Sequence, residues 1–392
     1  MKKTFYIIAI VSFLNALSFT ILIPTIYPYA KQFGLNDFQA SLLLSIFSFT
    51  QFFSTTIIGK LSDKYGRKPL LLISLLGTLV SNIFASLATT ASLLFFARFL
   101  DGVTGGNQSV IQAMVADVTD EDNRTKGYSI IGATFGFGFV MGPVLAIIAT
   151  KLPIPFTTEL GRPFMFSAIL AFVALILTYI ILPETLKVKS KEKINFTNFG
   201  LNQLIPGLFK PNVGKIFWLS FANGFAFTIF TFAFQPFFIS QLKGSSDQLA
   251  LTFSLFGIVS TLTQLNISKV VARFKIIPVL IVSMIMRGSL LLIIPFITNI
   301  YLFIGFALFF AMFNILLPLV NSLVSINSKQ DEQGINAGLN SSYGSLSNAL
   351  GPAVAGILIG FGFQYPFYLS GLLILIISYI TFINRNSLKT TK

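Results

Sequence analysis

The 392-residue sequence contains no cysteine and no histidine. The first absence excludes disulfides, thiol nucleophiles and thiolate metal sites; the second removes the imidazole ligand and the usual general base of hydrolytic chemistry. Charge is also scarce: Asp, Glu, Lys and Arg make up 10% of the chain, against about a quarter in soluble domains. Acids are scarcer than bases, 13 against 27, for a net charge of +14. A nucleic-acid binder would gather such cations on one solvated face, whereas here they fall in short runs between apolar segments, so no nucleic-acid partner is expected. No GxxxxGK[ST] phosphate loop occurs, which argues against ATP as the energy source. Neither an enzymatic activity nor a cofactor or metal is expected.

What the chain has in excess is apolar surface: 54% hydrophobic residues, 45 of them phenylalanine, and a mean hydropathy of +0.81. A helix needs about 20 mostly apolar residues to cross the bilayer core. Twelve such runs are present, near 5–30, 39–58, 70–89, 92–116, 127–149, 164–182, 214–240, 248–267, 277–296, 299–325, 336–360 and 365–383. Lipid offers no partner to free backbone groups, and the runs are too long for barrel strands, so all twelve are predicted helices of an all-α integral membrane protein. The opening MKKTFYIIAIVSFL resembles a signal peptide. Its apolar run nevertheless continues to about Ala30 without a small-x-small cleavage pattern, and it reads as a retained first span.

Basic residues orient the chain. With both termini cytoplasmic, 21 of the Lys and Arg outside the spans lie inside, and four (Lys31, Lys151, Arg162, Lys243) lie outside, a bias that fits an even number of spans. The longest connection divides the chain into an N-terminal six-helix bundle (1–182), a cytoplasmic linker (183–213) and a C-terminal six-helix bundle (214–392). The halves look like copies. A shift of 209 residues lays 121–127 over 330–336, Gly142-Pro143 over Gly351-Pro352, and Lys60 and Lys64 over Lys269 and Arg273. Duplicated six-helix halves suggest a transporter that alternates access around a site at their interface.

Ionisable groups inside the membrane are costly and point to function. The fourth span carries Arg98 and Asp101, three residues apart and so able to pair on one helix face. Asp101 is the one acid within the predicted spans and the candidate proton carrier, with Arg98 as its tuning partner. Gln108, seven residues on, is expected on the same face. Arg287, in the ninth span, has no membrane acid in its own half; pairing with a backbone carbonyl, pairing with Asp101 and recognition of an anionic substrate group all remain open to it. Asn15 either binds substrate or hydrogen-bonds a neighbouring helix. Gln235 follows Phe225, Phe227, Phe230, Phe232 and Phe234, which are expected to line an apolar pocket.

The stretch GKLSDKYGRKP (59–69) packs five charges between two apolar runs. Its cations anchor topology, but Asp63 is not needed for that. The pattern Gly59-x-Leu61-x-Asp63-x-x-Gly66-Arg67-Lys68 resembles the signature loop of the major facilitator superfamily, and the likeness extends over all twelve spans. It implies that family's fold of two pseudo-symmetric six-helix bundles. It also implies a cytoplasmic gate in which Asp63 meets the start of the eleventh helix and Arg67 pairs with Asp117 at the end of the fourth. The segment around Arg98 and Asp101 resembles the proton-coupled, tetracycline-exporter-like branch. Gly138-x-x-x-Gly142-Pro143 is similar to the exporters' fifth-helix motif, although Ala146-Ile147 stands where a glycine pair is usual, and Gly351-Pro352 is its counterpart in the second half. Tetracycline-type exporters place an Asp where this chain has Asn15.

The expectation is a secondary transporter of the plasma or inner membrane that works as a monomer and exports a small amphiphilic compound or drug in exchange for protons. The alternatives are an importer or facilitator of a small, anionic metabolite and, from a different class, a transport-inactive membrane sensor or scaffold.

Overall fold

The computed structural model describes residues 3–188, 201–211, 213–328 and 332–387. Among them there are helices and turns but no strand. The helices are α1 (Lys3–Thr20), α2 (Ile26–Gln32), α3 (Asp37–Tyr65), α4 (Arg67–Ser86), α5 (Ala91–Thr104), α6 (Asn107–Val118), α7 (Glu121–Lys151), α8 (Arg162–Ile180), α9 (Leu201–Leu208), α10 (Gly214–Pro236), α11 (Ser246–Phe274), α12 (Ile276–Ile293), α13 (Ile300–Met312), α14 (Leu316–Asn327), α15 (Gln333–Ile359) and α16 (Tyr365–Ile383).

Several spans start where the sequence supplies a cap. Asn36 and Gln39 satisfy each other's backbone N–H groups before α3, the reciprocal arrangement of a capping box. The Thr90 hydroxyl accepts from Leu93 N ahead of α5, and the Asn299 side chain accepts from Tyr301 N and Leu302 N ahead of α13. Each supplies an acceptor to a first-turn N–H that has no partner within the helix.

Ten helical stretches among the described residues are long and apolar enough to cross a membrane. The other two expected spans differ for physical reasons. The fourth is broken between α5 and α6 at Gly105-Gly106, and the eleventh, α15, is diluted by Asn340, Ser341, Ser342, Ser345 and Asn348. The stretch expected as a loop at 59–69 is almost wholly helical: α3 runs to Tyr65 and α4 starts at Arg67, leaving Gly66 alone as the connection.

The chain forms two compact units. The first comprises residues 1–35, 46–199 and 246–254, and the second 36–45, 200–245 and 255–392. The first unit is centred on Phe5, Ile8, Leu71, Leu75, Val110 and Met114, all buried. The second is centred on tilted and edge-on ring pairs: Phe230 lies 4.5 Å from Phe310, Phe234 lies 4.9 Å from Phe303, and Phe237 lies 5.2 Å from Phe367, centroid to centroid. This corrects the pocket expected around Gln235. Phe230, Phe232 and Phe234 are buried and fill a core; only Phe225 and Phe227 stay partly open.

Candidate functional site

The centre of the first unit holds a buried ion pair. Arg98 (3% exposed) and Asp101 (7% exposed) lie on α5, with Arg98 Nη1 2.7 Å from Asp101 Oδ2. The guanidinium carbon is 4.2 Å from the Phe47 ring centroid, and Thr78 and Ser81 on α4 lie beside Asp101, the Ser81 hydroxyl donating to the Thr78 carbonyl at 3.0 Å. Desolvating two charges costs several kcal/mol per ion unless the pair is well formed and further hydrogen bonds satisfy it. The carboxylate here is held by Arg98 Nη1, while Arg98 Nε has no partner. Gly102 makes the site compact: a Cβ there would lie 2.5 Å from the Phe47 carbonyl, so only glycine lets α5 approach α3 this closely.

Gln108 is not carried onto the Asp101 face by a continuous helix. The seven-residue spacing assumed an unbroken α5–α6, and the turn at Gly105-Gly106 resets the register. Gln108 Oε1 is nevertheless buried without a partner. Asn15 is engaged by a neighbouring helix: its Oδ1 accepts from Asn107 Nδ2 at 2.6 Å. Asn107 Oδ1 in turn accepts from Gln108 N at the start of α6. The helix break therefore creates the donor that holds Asn15.

A second cluster surrounds Gly66. Arg67 Nη1 lies 2.5 Å from Asp63 Oδ1 and 2.7 Å from Ser62 Oγ, and Arg67 Nε lies 3.1 Å from Asp117 Oδ2. Thr185 Oγ1 donates to the same Asp117 oxygen at 2.9 Å. Asp63 is half exposed, its side chain at 50%. Sequence reasoning missed Glu184. Its Oε1 accepts from Arg67 N and its Oε2 from Lys68 N, at 3.0 and 3.2 Å, so a side chain 117 residues away caps the start of α4, where the aligned peptide dipoles favour an anion. The one sequence signal was an acid, Pro183-Glu184-Thr185, at the head of a linker in which Lys outnumbers Glu. Lys68 Nζ donates to the Tyr179 carbonyl at 2.8 Å, and Gly59 faces Ser109 across a gap that a Cβ would fill at 3.5 Å.

The glycine motif of α7 packs on α1. A Cβ on Gly142 would lie 2.3 Å from Thr20 Oγ1 and 2.7 Å from the Thr20 carbonyl carbon, while Gly138 faces Ala16. Thr20 Oγ1 donates to the Gly138 carbonyl at 2.8 Å. Pro143 is accommodated inside the continuous α7. The second unit repeats the device: Gly351, beside Pro352, meets Thr228, whose Oγ1 donates to the Ser347 carbonyl at 2.9 Å. Ser347 and Gly351 stand 209 residues after Gly138 and Gly142, the offset read from the sequence.

The second unit buries Arg287 on α12 at 1% exposure. Its Nη1 donates to Asn223 Oδ1 at 2.9 Å, and the guanidinium lies 5.1 Å from the Phe310 ring and 5.5 Å from the Phe227 ring. Its Nε and Nη2 have no partner, and neither does the buried Gln235 Oε1.

The Major Facilitator Superfamily profile matches residues 8–215 and again 216–391. Multidrug resistance protein 2 of Bacillus subtilis (strain 168) is 26% identical over 395 residues, covering 96% of this chain and 94% of that protein. Tetracycline resistance protein, class E, of Escherichia coli is 26% identical over 371 residues, covering 91% and 88%. The crystal structure of the human organic anion transporter MFSD10 (TETRAN) superposes with a TM-score of 0.73 at 20% identity, over 97% of this chain and all of that one, a likeness of fold. The profile spans nearly the whole chain in two successive matches, and on that ground the chain belongs to the Major Facilitator Superfamily, as a multi-pass membrane transporter of small molecules.

Proposed function

We propose that the protein exports small amphiphilic compounds in exchange for protons, by alternating access, as a monomer in the cell membrane with both termini cytoplasmic. The observation that carries this reading is the Arg98–Asp101 pair, a fully formed ion pair deep within a membrane helix. A proton arriving at Asp101 changes the pair from neutral to singly positive and deprives Arg98 of its one ionic partner. A buried guanidinium without its counter-ion is strongly disfavoured, by roughly 3–5 kcal/mol when one partner is removed. That is the scale needed to shift a two-state equilibrium. Protonation can therefore bias the transporter between two packings.

The names of the near-full-length relatives, resistance proteins against several drugs and against tetracycline, support export and an amphiphilic cargo. In this reading the Gly66 cluster is the cytoplasmic gate. Asp63, Arg67 and Asp117 are its charged members, and Glu184 and Thr185 hold it to the end of the sixth span. The smooth Gly138–Gly142 and Gly351 seams give α7 and α15 close, well-defined contacts to move with. In proteoliposomes loaded with a pH dye, efflux of an amphiphilic aromatic compound such as 1-naphthoate, measured against protein-free vesicles, is expected to drive protons the opposite way, and Asp101→Asn is expected to stop that proton movement. Substrate flux with no proton movement in the unaltered protein would contradict the coupling.

A further inference from the structure

Asp101 and Arg287 are related by the internal repeat. Moving Asp101 on by 209 residues reaches Phe310, and moving Thr78 on by 209 reaches Arg287. In the first unit the Thr78 position lies beside an acid at the Asp101 position. In the second unit the same two positions hold a base and a ring, with Arg287 stacked 5.1 Å from Phe310. The repeat-related spot thus carries an acid already neutralised by Arg98 in one unit and an un-neutralised base in the other.

Arg287 is an unusual group to bury. No carboxylate among the described residues lies within ion-pair distance of it. Of its five N–H donors, Nη1 serves Asn223, and Nε and Nη2 serve nothing. It sits eleven residues from the start of α12, about 17 Å along the helix at 1.5 Å per residue and so near the middle of a bilayer core. The aromatic faces of Phe227 and Phe310 offset part of the desolvation, but they accept no hydrogen bond in the plane of the guanidinium. Asn223 and Phe227 are partly exposed, so Arg287 lies one side chain behind an accessible face of α10.

We infer that Arg287 is the anchor for an anionic group on the transported compound, a carboxylate or similar planar anion carried on an aromatic body. Asn223 steers the guanidinium, and the partly exposed Phe227 flanks the ligand's ring. The unused Nε and Nη2 form one edge of the guanidinium fork, the geometry that takes a carboxylate through two parallel hydrogen bonds. The inference names the substrate class for the transport function proposed above and rests on that function only for the claim that the bound anion is cargo.

The test measures binding to the purified full-length protein by equilibrium dialysis, with 1-naphthoate against 1-naphthamide and then further matched carboxylate and carboxamide pairs. The carboxylates are expected to bind about tenfold to a hundredfold more tightly than their amides, the range of a charge-assisted hydrogen bond or two. Arg287→Gln is expected to erase the preference, and Arg287→Lys to keep part of it. Asn223→Asp supplies an internal carboxylate at the 2.9 Å contact; it is expected to erase the preference while raising thermal stability, which guards against Arg287→Gln failing to fold. The inference is overturned if no carboxylate binds, if acid and amide bind alike in the unaltered protein, or if the preference survives Asn223→Asp. Carboxylate preference without proton movement in vesicles would leave the anion site standing and remove the coupling.

Discussion

Gly66 and Glu184 are predicted to be energetically coupled although they lie 118 positions apart. Gly66 has φ +118°, a region in which an L side chain is strained by about 1–2 kcal/mol. A Cβ there would also lie 2.5 Å from Glu184 Oε2 and 3.3 Å from Glu184 Cδ; that exposed carboxylate can swing aside only by giving up its cap on α4, a loss of about 0.5–2 kcal/mol with about 0.3–1 kcal/mol more for its charge. Gly66→Ala is therefore expected to destabilise by about 2–5 kcal/mol. Glu184→Ala removes the acceptor for Arg67 N and Lys68 N. Loss of such a cap costs about 0.5–2 kcal/mol, and loss of its charge at a helix start about 0.3–1 kcal/mol more. In the double variant the collision disappears because its partner is gone, and only strain and lost capping remain. The double variant should be more stable than the sum of the singles predicts, by about 1–3 kcal/mol. The assay is reversible unfolding of the purified protein in mixed micelles by increasing dodecyl sulfate, with the four free energies closed into a cycle. Additivity within about 0.5 kcal/mol would refute the reasoning and reduce Glu184 to a surface acid.

Two further perturbations test the seams. Gly142→Ala drives a Cβ into the Thr20 backbone, where Thr20 cannot retreat without α1; about 1–3 kcal/mol of destabilisation is expected. Thr20→Ala should recover only part of it, and full recovery in the same unfolding assay would show that the side-chain contact alone mattered. Asn15→Leu strands the buried Asn107 Nδ2 and should cost about 1–3 kcal/mol. Asn15→Asp keeps an acceptor at that contact but buries a carboxyl, and should lose less stability than Asn15→Leu; an equal loss of stability in both would contradict the role assigned to the Asn15–Asn107 bond.

Much of this architecture can be read from the chain because hydropathy acts over a whole span. Ten stretches pass as membrane helices on composition alone, and the repeat offset of 209 recurs in Gly142 and Gly351, each packed against a threonine. The Arg98–Asp101 pair is likewise local, fixed by a three-residue spacing on one helix. What escaped depends on breaks or on tertiary approach. Gly105-Gly106 interrupts a run that reads as one span, and so breaks the continuous helix that periodicity assumed between Asp101 and Gln108. Glu184 matters because the end of the sixth span comes beside α4, which no local pattern announces. The phenylalanines near Gln235 are as apolar in a core as in a pocket wall, so composition could not separate the two. Asn223, one amide among many in the spans, is singled out only by its contact with Arg287.

The central claim is that Asp101 carries the transported proton. The most direct measurement compares the unaltered protein and Asp101→Asn in the same proteoliposomes, imposing a pH gradient and recording uphill movement of 1-naphthoate into the acidic lumen, the direction opposite to passive partition of a weak acid. The account predicts that the gradient drives accumulation through the unaltered protein, and that Asp101→Asn still binds and equilibrates the compound but no longer concentrates it. Gradient-driven accumulation that persists undiminished in Asp101→Asn would place the coupling elsewhere in the protein.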